Sequence, residues 1–239
     1  MKKTLLSLMV MFAFFAGTFA QSVGVRIGGT WADFQKDFGY TAITNPTEVE
    51  GNLGLNVALF GEMPLAGGLA IQPELQYVEK GARIWDRGHV NAYMLNKWRY
   101  IDVPLLLKYR ATTPKGNFFV MAGPEVGFAF SGTTIYSHWL EPNSDAPNRF
   151  SNEVSYTFDT DQADDGVKDN RFDAGFTVGG GVEFMIGKGY FSVDVRYGLD
   201  LTDNQVFDGD PVGSNQPAQN RVFGVSAAYA IPLSFGSNE

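Results

Sequence analysis

Residues 191–201 read Phe191-Ser192-Val193-Asp194-Val195-Arg196-Tyr197-Gly198-Leu199-Asp200-Leu201, with every odd position apolar and every even one small or charged. Successive side chains of a strand leave by opposite faces, so this stretch predicts a strand with one apolar and one polar face. Seven further stretches share that period of two, at 23–31, 53–60, 69–77, 100–109, 118–130, 172–184 and 223–231. In all eight, the apolar register is free of charge. The opposite register carries Arg26, Glu74, Asp102, Lys108, Glu125, Asp173, Glu183, Asp194, Arg196 and Asp200, together with ten glycines.

Eight strands with no helix to cover them must close into a barrel or fold into a sandwich. The charges decide which face points inward. A soluble barrel would turn its charged register to water, and that face would be lysine-rich without needing glycine. In this count Lys108 is the only lysine of the charged register, and the glycines suit a narrow lumen where small residues sit beside large ones. The apolar register therefore faces lipid, where one Arg or Lys at mid-depth costs about 2–4 kcal/mol. The charged residues Arg26, Glu74, Asp102, Lys108, Glu125, Asp173, Glu183, Asp194 and Arg196 are expected to form a structural network inside the lumen.

The connections alternate in length. Segments 64–68, 111–117 and 186–189 are short, whereas 32–52, 81–96, 131–170 and 202–219 are long. That alternation predicts an all-β, eight-stranded antiparallel up-and-down transmembrane β-barrel with short periplasmic turns and long outer loops. Trp31, Trp98 and Tyr100 at the loop ends are expected to form one interfacial girdle. Tyr109, Phe118, Phe119, Phe184, Tyr190 and Phe191 at the turn ends form the other. Pro73, Pro104 and Pro124 fall inside strands, where each removes a ladder donor, so bulges or breaks are expected there.

The first twenty residues predict an export signal. Lys2 and Lys3 precede an apolar run too short to span a bilayer, and the small residues Thr18 and Ala20 place cleavage before Gln21. The domain organisation is then 1–20 leader and 21–239 barrel. Loss of the two lysines moves the net charge from −8 to −10. That balance excludes a nucleic-acid binder, which needs a basic footprint. With no cysteine in 239 residues, disulfides, thiolate metal sites and cysteine nucleophiles are excluded as well.

Several blocks resemble a known family. Gln72-Pro73-Glu74-Leu75-Gln76-Tyr77-Val78-Glu79-Lys80-Gly81 is similar to the third-strand signature of the PorT-like outer-membrane β-barrel family. Tyr100-Ile101-Asp102-Val103-Pro104-Leu105-Leu106-Leu107-Lys108-Tyr109 is similar to the fourth. Gly123-Pro124-Glu125-Val126-Gly127, Gly179-Gly180-Gly181-Val182-Glu183-Phe184 and the opening Gly24-Val25-Arg26-Ile27-Gly28-Gly29 fit too. The resemblance covers the mature chain and implies an eight-stranded outer-membrane barrel whose founding relative is tied to type IX secretion. The chain departs from the pattern at its end, which runs past Phe235 through Gly236, Ser237, Asn238 and Glu239.

Chemistry is sparse. The histidines, His89 and His138, lie in long connections; Ser137 adjoins His138, but no G-x-S-x-G occurs. A loop-borne lipid-modifying enzyme and a soluble periplasmic barrel binding an apolar ligand are the alternatives to a non-enzymatic outer-membrane barrel. That leading reading expects no cofactor, outer-membrane lipid around the wall, and envelope or secretion proteins contacted through the long loops. The segment 131–170 holds Glu141, Asp145, Glu153, Asp159, Asp161, Asp164, Asp165 and Asp169. Its Asp159-to-Asn170 spacing fails the EF-hand pattern, with Ala163 and Asn170 where ligands belong. Calorimetry with millimolar Ca²⁺ is expected to show no binding; a saturable heat would reverse that expectation.

Overall fold

Sequence neighbours become spatial neighbours. The computed structural model describes residues 21–34, 47–86, 92–139, 149–156, 167–169, 171–202, 205–207 and 219–233. They form strands β1 (Ser22–Phe34), β2 (Thr47–Pro64), β3 (Leu69–Lys80), β4 (Ala82–Asp86), β5 (Ala92–Thr113) and β6 (Gly116–Trp139). β7 (Arg149–Tyr156), β8 (Val167–Asp169), β9 (Phe172–Ile186), β10 (Gly189–Asp200), β11 (Gln205–Phe207) and β12 (Asn220–Pro232) follow. No helix occurs among the described residues.

Eight of these strands are the eight alternating segments, and they close on themselves. Antiparallel ladders run β1–β2–β3–β5–β6–β9–β10–β12, and β12 returns to β1 from Ser22↔Pro232 to Phe34↔Asn220 without a gap. The result is a closed eight-stranded antiparallel barrel. β4 continues the line of β3 beyond Gly81 and pairs with the first residues of β2 and β5. β7 extends the loop end of β6, and β8 with β11 makes a separate two-stranded ribbon. The long connections therefore begin later than the alternation predicts, because their first residues continue the ladders.

The two registers face as the charge pattern requires. Val25, Ile27, Leu53, Phe118, Val126, Phe172, Val195 and Phe223 lie on the outer surface, with Ile27 60% and Phe172 71% exposed. Arg26, Glu74, Asp102 and Asp200 are at most 1% exposed on the inner one. Four residues expected in the girdles are corrected; Tyr190, of one parity with Ser192 and Asp194, lines an inner cavity between two charged layers of the lumen. Trp98, Tyr100 and Phe119 are buried, because they share parity with Asp102 and Met121 and so point into the lumen. Trp31, Tyr109, Phe118 and Phe184 remain outside.

The prolines interrupt pairing along one diagonal. The β3–β5 ladder stops at Pro73↔Leu105 and resumes at Gln76↔Asp102. The β5–β6 ladder stops at Pro104↔Glu125 and resumes at Leu107↔Ala122, and the β2–β3 ladder skips Gly61 and Glu62 opposite Gln72 and Pro73. Register is conserved across each gap, so these are local breaks rather than slips. The β6–β9 ladder passes Pro124↔Phe176 unbroken, so Pro124 disturbs one neighbour only.

Two glycines meet requirements no other residue would. Gly81 sits at φ 137° between β3 and β4, a conformation closed to residues with a Cβ, and lets the wall continue past Lys80. Gly123 lies in the β5–β6 break, where an added Cβ would meet the Leu105 carbonyl oxygen. Gly123→Val is expected to destabilise the barrel by about 1–3 kcal/mol through overpacking against fixed backbone. Urea titration of the fraction that resists unfolding on a cold gel measures it; an unchanged midpoint would mean the wall yields there.

Candidate functional site: the charged interior

The inward register stacks three ionic clusters along the barrel. Nearest the short turns, Lys108 Nζ lies 2.8 Å from Glu62 Oε2 and 3.2 Å from Glu183 Oε2. Arg110 joins the same two carboxylates, its Nε 2.9 Å from Glu183 Oε1, while Asn117 Nδ2 donates to Glu183 Oε1 at 3.1 Å. Two cations meet two anions, and the Lys108 ammonium also sits 4.5 Å from the Phe119 ring centre.

At mid-barrel, Glu74 is held between two guanidinium groups, with Arg26 Nη2 at 2.8 Å and Arg196 Nη1 at 2.9 Å. Arg26 donates to Gln76 Oε1 at 2.6 Å, Gln72 donates to Glu74 Oε1 at 2.6 Å, and Arg196 Nε pairs with Asp194 Oδ1 at 2.8 Å. This cluster is also balanced. Thr177 donates to Glu125 Oε2 at 2.6 Å between it and the next.

Toward the loop end the balance fails. Lys80 Nζ lies 3.1 Å from Asp102, 3.3 Å from Asp173 and 3.1 Å from Asp200, so one ammonium serves three carboxylates. Thr202 donates to Asp173 Oδ1 at 2.6 Å, Asn220 Nδ2 donates to Asp200 Oδ2 at 3.0 Å, and Lys80 stands 4.7 Å from the Tyr100 ring centre. Above it, Phe34, Val78, Ala82, Trp98, Tyr100 and Ala129 form an apolar plug.

Of the nine residues expected in the lumen, the structure brings Lys108 and Glu183 into the first cluster. Arg26, Glu74, Asp194 and Arg196 meet in the second, and Asp102 and Asp173 in the third. Glu125 sits apart on Thr177. Three participants were missed: Glu62, Lys80 and Arg110. Each continues the inward parity past the end of an alternating run, Glu62 two residues after Phe60, Lys80 four after Gln76 and Arg110 two after Lys108, so extending the period would have found them. Lys80 also corrects the expectation that Lys108 is the sole inward lysine.

The lumen is filled. A cavity of about 30 Å³ separates the second and third clusters, lined by Lys80, Asp102, Glu125 and Arg196 among others. One of about 10 Å³ lies between the first and second. The larger has room for a water molecule or two, and neither passes a hydrated ion. An open mouth of about 720 Å³ lies at the turn end beneath Glu62, Arg110 and Glu183. Among the described residues no group of three acidic or histidine side chains is placed to hold a metal. Ser137 and His138 are consecutive in the β6 ladder, opposite Ser151 and Phe150; the acids 159–165 and the ends 1–20 and 234–239 lie outside the described residues.

A closed antiparallel barrel with an apolar exterior and a charged, plugged interior is an outer-membrane β-barrel. Residues 19–205 match the model of the family described as outer membrane protein beta-barrel domain, and the chain belongs to that family. Its place is the outer membrane. Among solved structures it is similar to OprG of Pseudomonas aeruginosa at 11% identity and TM-score 0.45, covering 90% of this chain and 98% of that one. It is also similar to Ail, the attachment invasion locus protein of Yersinia pestis, at 13% identity and TM-score 0.42, covering 89% and 100%. Neisserial surface protein A is similar at 9% identity and TM-score 0.40, covering 88% and 97%. No curated protein sequence matches.

Removing a lone cation from a buried cluster strands its anions, at about 3–5 kcal/mol. Lys80→Met is expected to lower stability to urea by that amount. Lys108→Met is expected to lose less, because Arg110 still holds Glu62 and Glu183. Equal losses in the two variants would show that the clusters are not separate energetic units.

Proposed function

We propose that this chain is a non-enzymatic outer-membrane barrel whose loop end presents an interaction surface at the cell envelope. Its interior charges serve closure and stability rather than transport or catalysis. The observation that carries this reading is the filled lumen: three ionic clusters and an apolar plug leave no path for a solute. Extra strand at the loop end supports it, since β4, β7 and the β8–β11 ribbon build that end beyond the barrel wall, whereas the other end has only tight turns.

The PorT-like blocks, which form β3, β5, β6 and β9, favour a place in a secretion or assembly complex, reached after export by the leader 1–20. The soluble-barrel alternative fails on orientation, because the apolar register is the exposed one. A loop-borne enzyme at Ser137 and His138 draws no support from a base, nucleophile and orienter brought together among the described residues.

Two measurements test the proposal. The chain is expected in the outer-membrane fraction, with gel mobility that changes on boiling, and planar bilayers containing it are expected to show no steady discrete conductance. Regular current steps would make the lumen a channel and overturn its structural role. Lipid or ester turnover lost on His138→Ala would overturn the non-enzymatic assignment.

A further inference from the structure

The outer face of β4 and β5 carries three cations at the loop end, Arg83, Lys97 and Arg99, with Glu50 of β2 and Glu79 of β3 beside them. Lys97 and Arg99 lie two residues apart on the lipid-facing side of β5, a spacing of about 7 Å. Arg83 stands on the adjoining β4, opposite Leu95, which is two residues before Lys97. The three cations line the loop-end edge of the apolar band, beyond Leu105 and Leu107 on the same face of β5.

The arrangement is held in place. The Arg83 guanidinium lies 5.7 Å from the Trp85 ring centre and 5.1 Å from that of Tyr93, and those rings meet edge-on at 5.1 Å. Arg99 Nη1 donates to Thr133 Oγ1 at 3.4 Å, and Thr133 is the ladder partner of Lys97. Neutralisation is incomplete. Arg83 approaches Glu50, and Arg99 approaches Glu79, only to 3.6 Å, each side chain about one-third exposed on the cation's side. Lys97 has no carboxylate partner among the described residues. The contrast is Arg221 on β12, which faces Asp33 directly and binds it through two nitrogens at 3.0 and 3.1 Å.

We propose that Arg83, Lys97 and Arg99, with the Thr133 hydroxyl, form a binding site for the phosphate of a glycolipid head group in the outer leaflet. The charge is complementary, the donors are directed sideways into the membrane edge, and the aromatic rings of Trp85 and Tyr93 fit the same interfacial depth. The acyl chains of such a lipid would lie along the apolar strip of Leu105 and Leu107. The assignment rests on the reading that the loop end faces outward.

The test uses the full mature chain folded in neutral detergent and native mass spectrometry to count retained lipid. Bis-phosphorylated lipid A is expected to stay bound and its dephosphorylated form to wash off. Millimolar inorganic phosphate is expected not to displace it. Lys97→Gln and Arg99→Gln should each weaken retention about fivefold, with Lys97→Arg restoring it, while Arg221→Gln leaves it unchanged. Equal retention of the two lipids, or displacement by inorganic phosphate alone, overturns the site. Fractionation and boiling-dependent mobility report separately on the barrel, so a folded outer-membrane protein that ignores the phosphate refutes this site and leaves the parent reading intact.

Discussion

In hydrocarbon no water is available to a peptide group, so every backbone donor and acceptor must find a partner within the chain. The β1–β12 ladder is where this chain meets that demand. It joins the first strand to the last over the whole length of β1, and without it two edges would face lipid. The other features follow. Closing eight strands fixes a narrow interior, the narrow interior requires glycine beside Arg26, Asp194 and Arg196, and the outward register has to be free of charge. The departures are the proline diagonal and a one-residue bulge at Phe130 opposite Arg99 and Tyr100, and they are confined to β2, β3, β5 and β6, away from the closing seam.

Inside, the energetics run opposite to those of a soluble core. The wall gains its stability from lipid outside, so the lumen is free to hold ions, provided that each is matched. Glu74 between Arg26 and Arg196, and the Glu62–Glu183 pair under Lys108 and Arg110, are matched groups whose attraction offsets the loss of hydration. The acid-rich cluster around Lys80 is less well compensated. It lies beneath the apolar plug of Phe34, Trp98 and Tyr100, which keeps solvent from the loop end off those carboxylates.

Much of this was legible from alternation alone. The stretch 191–201 appears as β10 with Asp194, Arg196 and Asp200 inside and Val193, Val195 and Tyr197 outside, because a period of two leaves a strand no choice of face. Strand ends were not legible, since the pattern fades where β2, β3 and β5 leave the hydrocarbon and outward positions turn polar. Glu62, Lys80 and Arg110 sat in that fading zone. The girdle error has the related cause that an aromatic near a strand end says nothing of its face until parity is counted, as Trp98 and Phe119 show. Which charges meet was illegible altogether, because shear brings Lys80 to Asp200 and Arg196 to Glu74 across more than a hundred residues.

Those long separations impose an order in time. Lys80 emerges with the third barrel strand, yet Asp173 and Asp200 belong to the ninth and tenth strands of the chain, and Glu74 waits as long for Arg196. The first six strands nonetheless carry matches of their own, Arg26 with Glu74, Asp102 with Lys80 and Glu62 with Lys108. The last strands complete the interior by adding Arg196 to Glu74, Glu183 to Lys108, and Asp173 and Asp200 to Lys80.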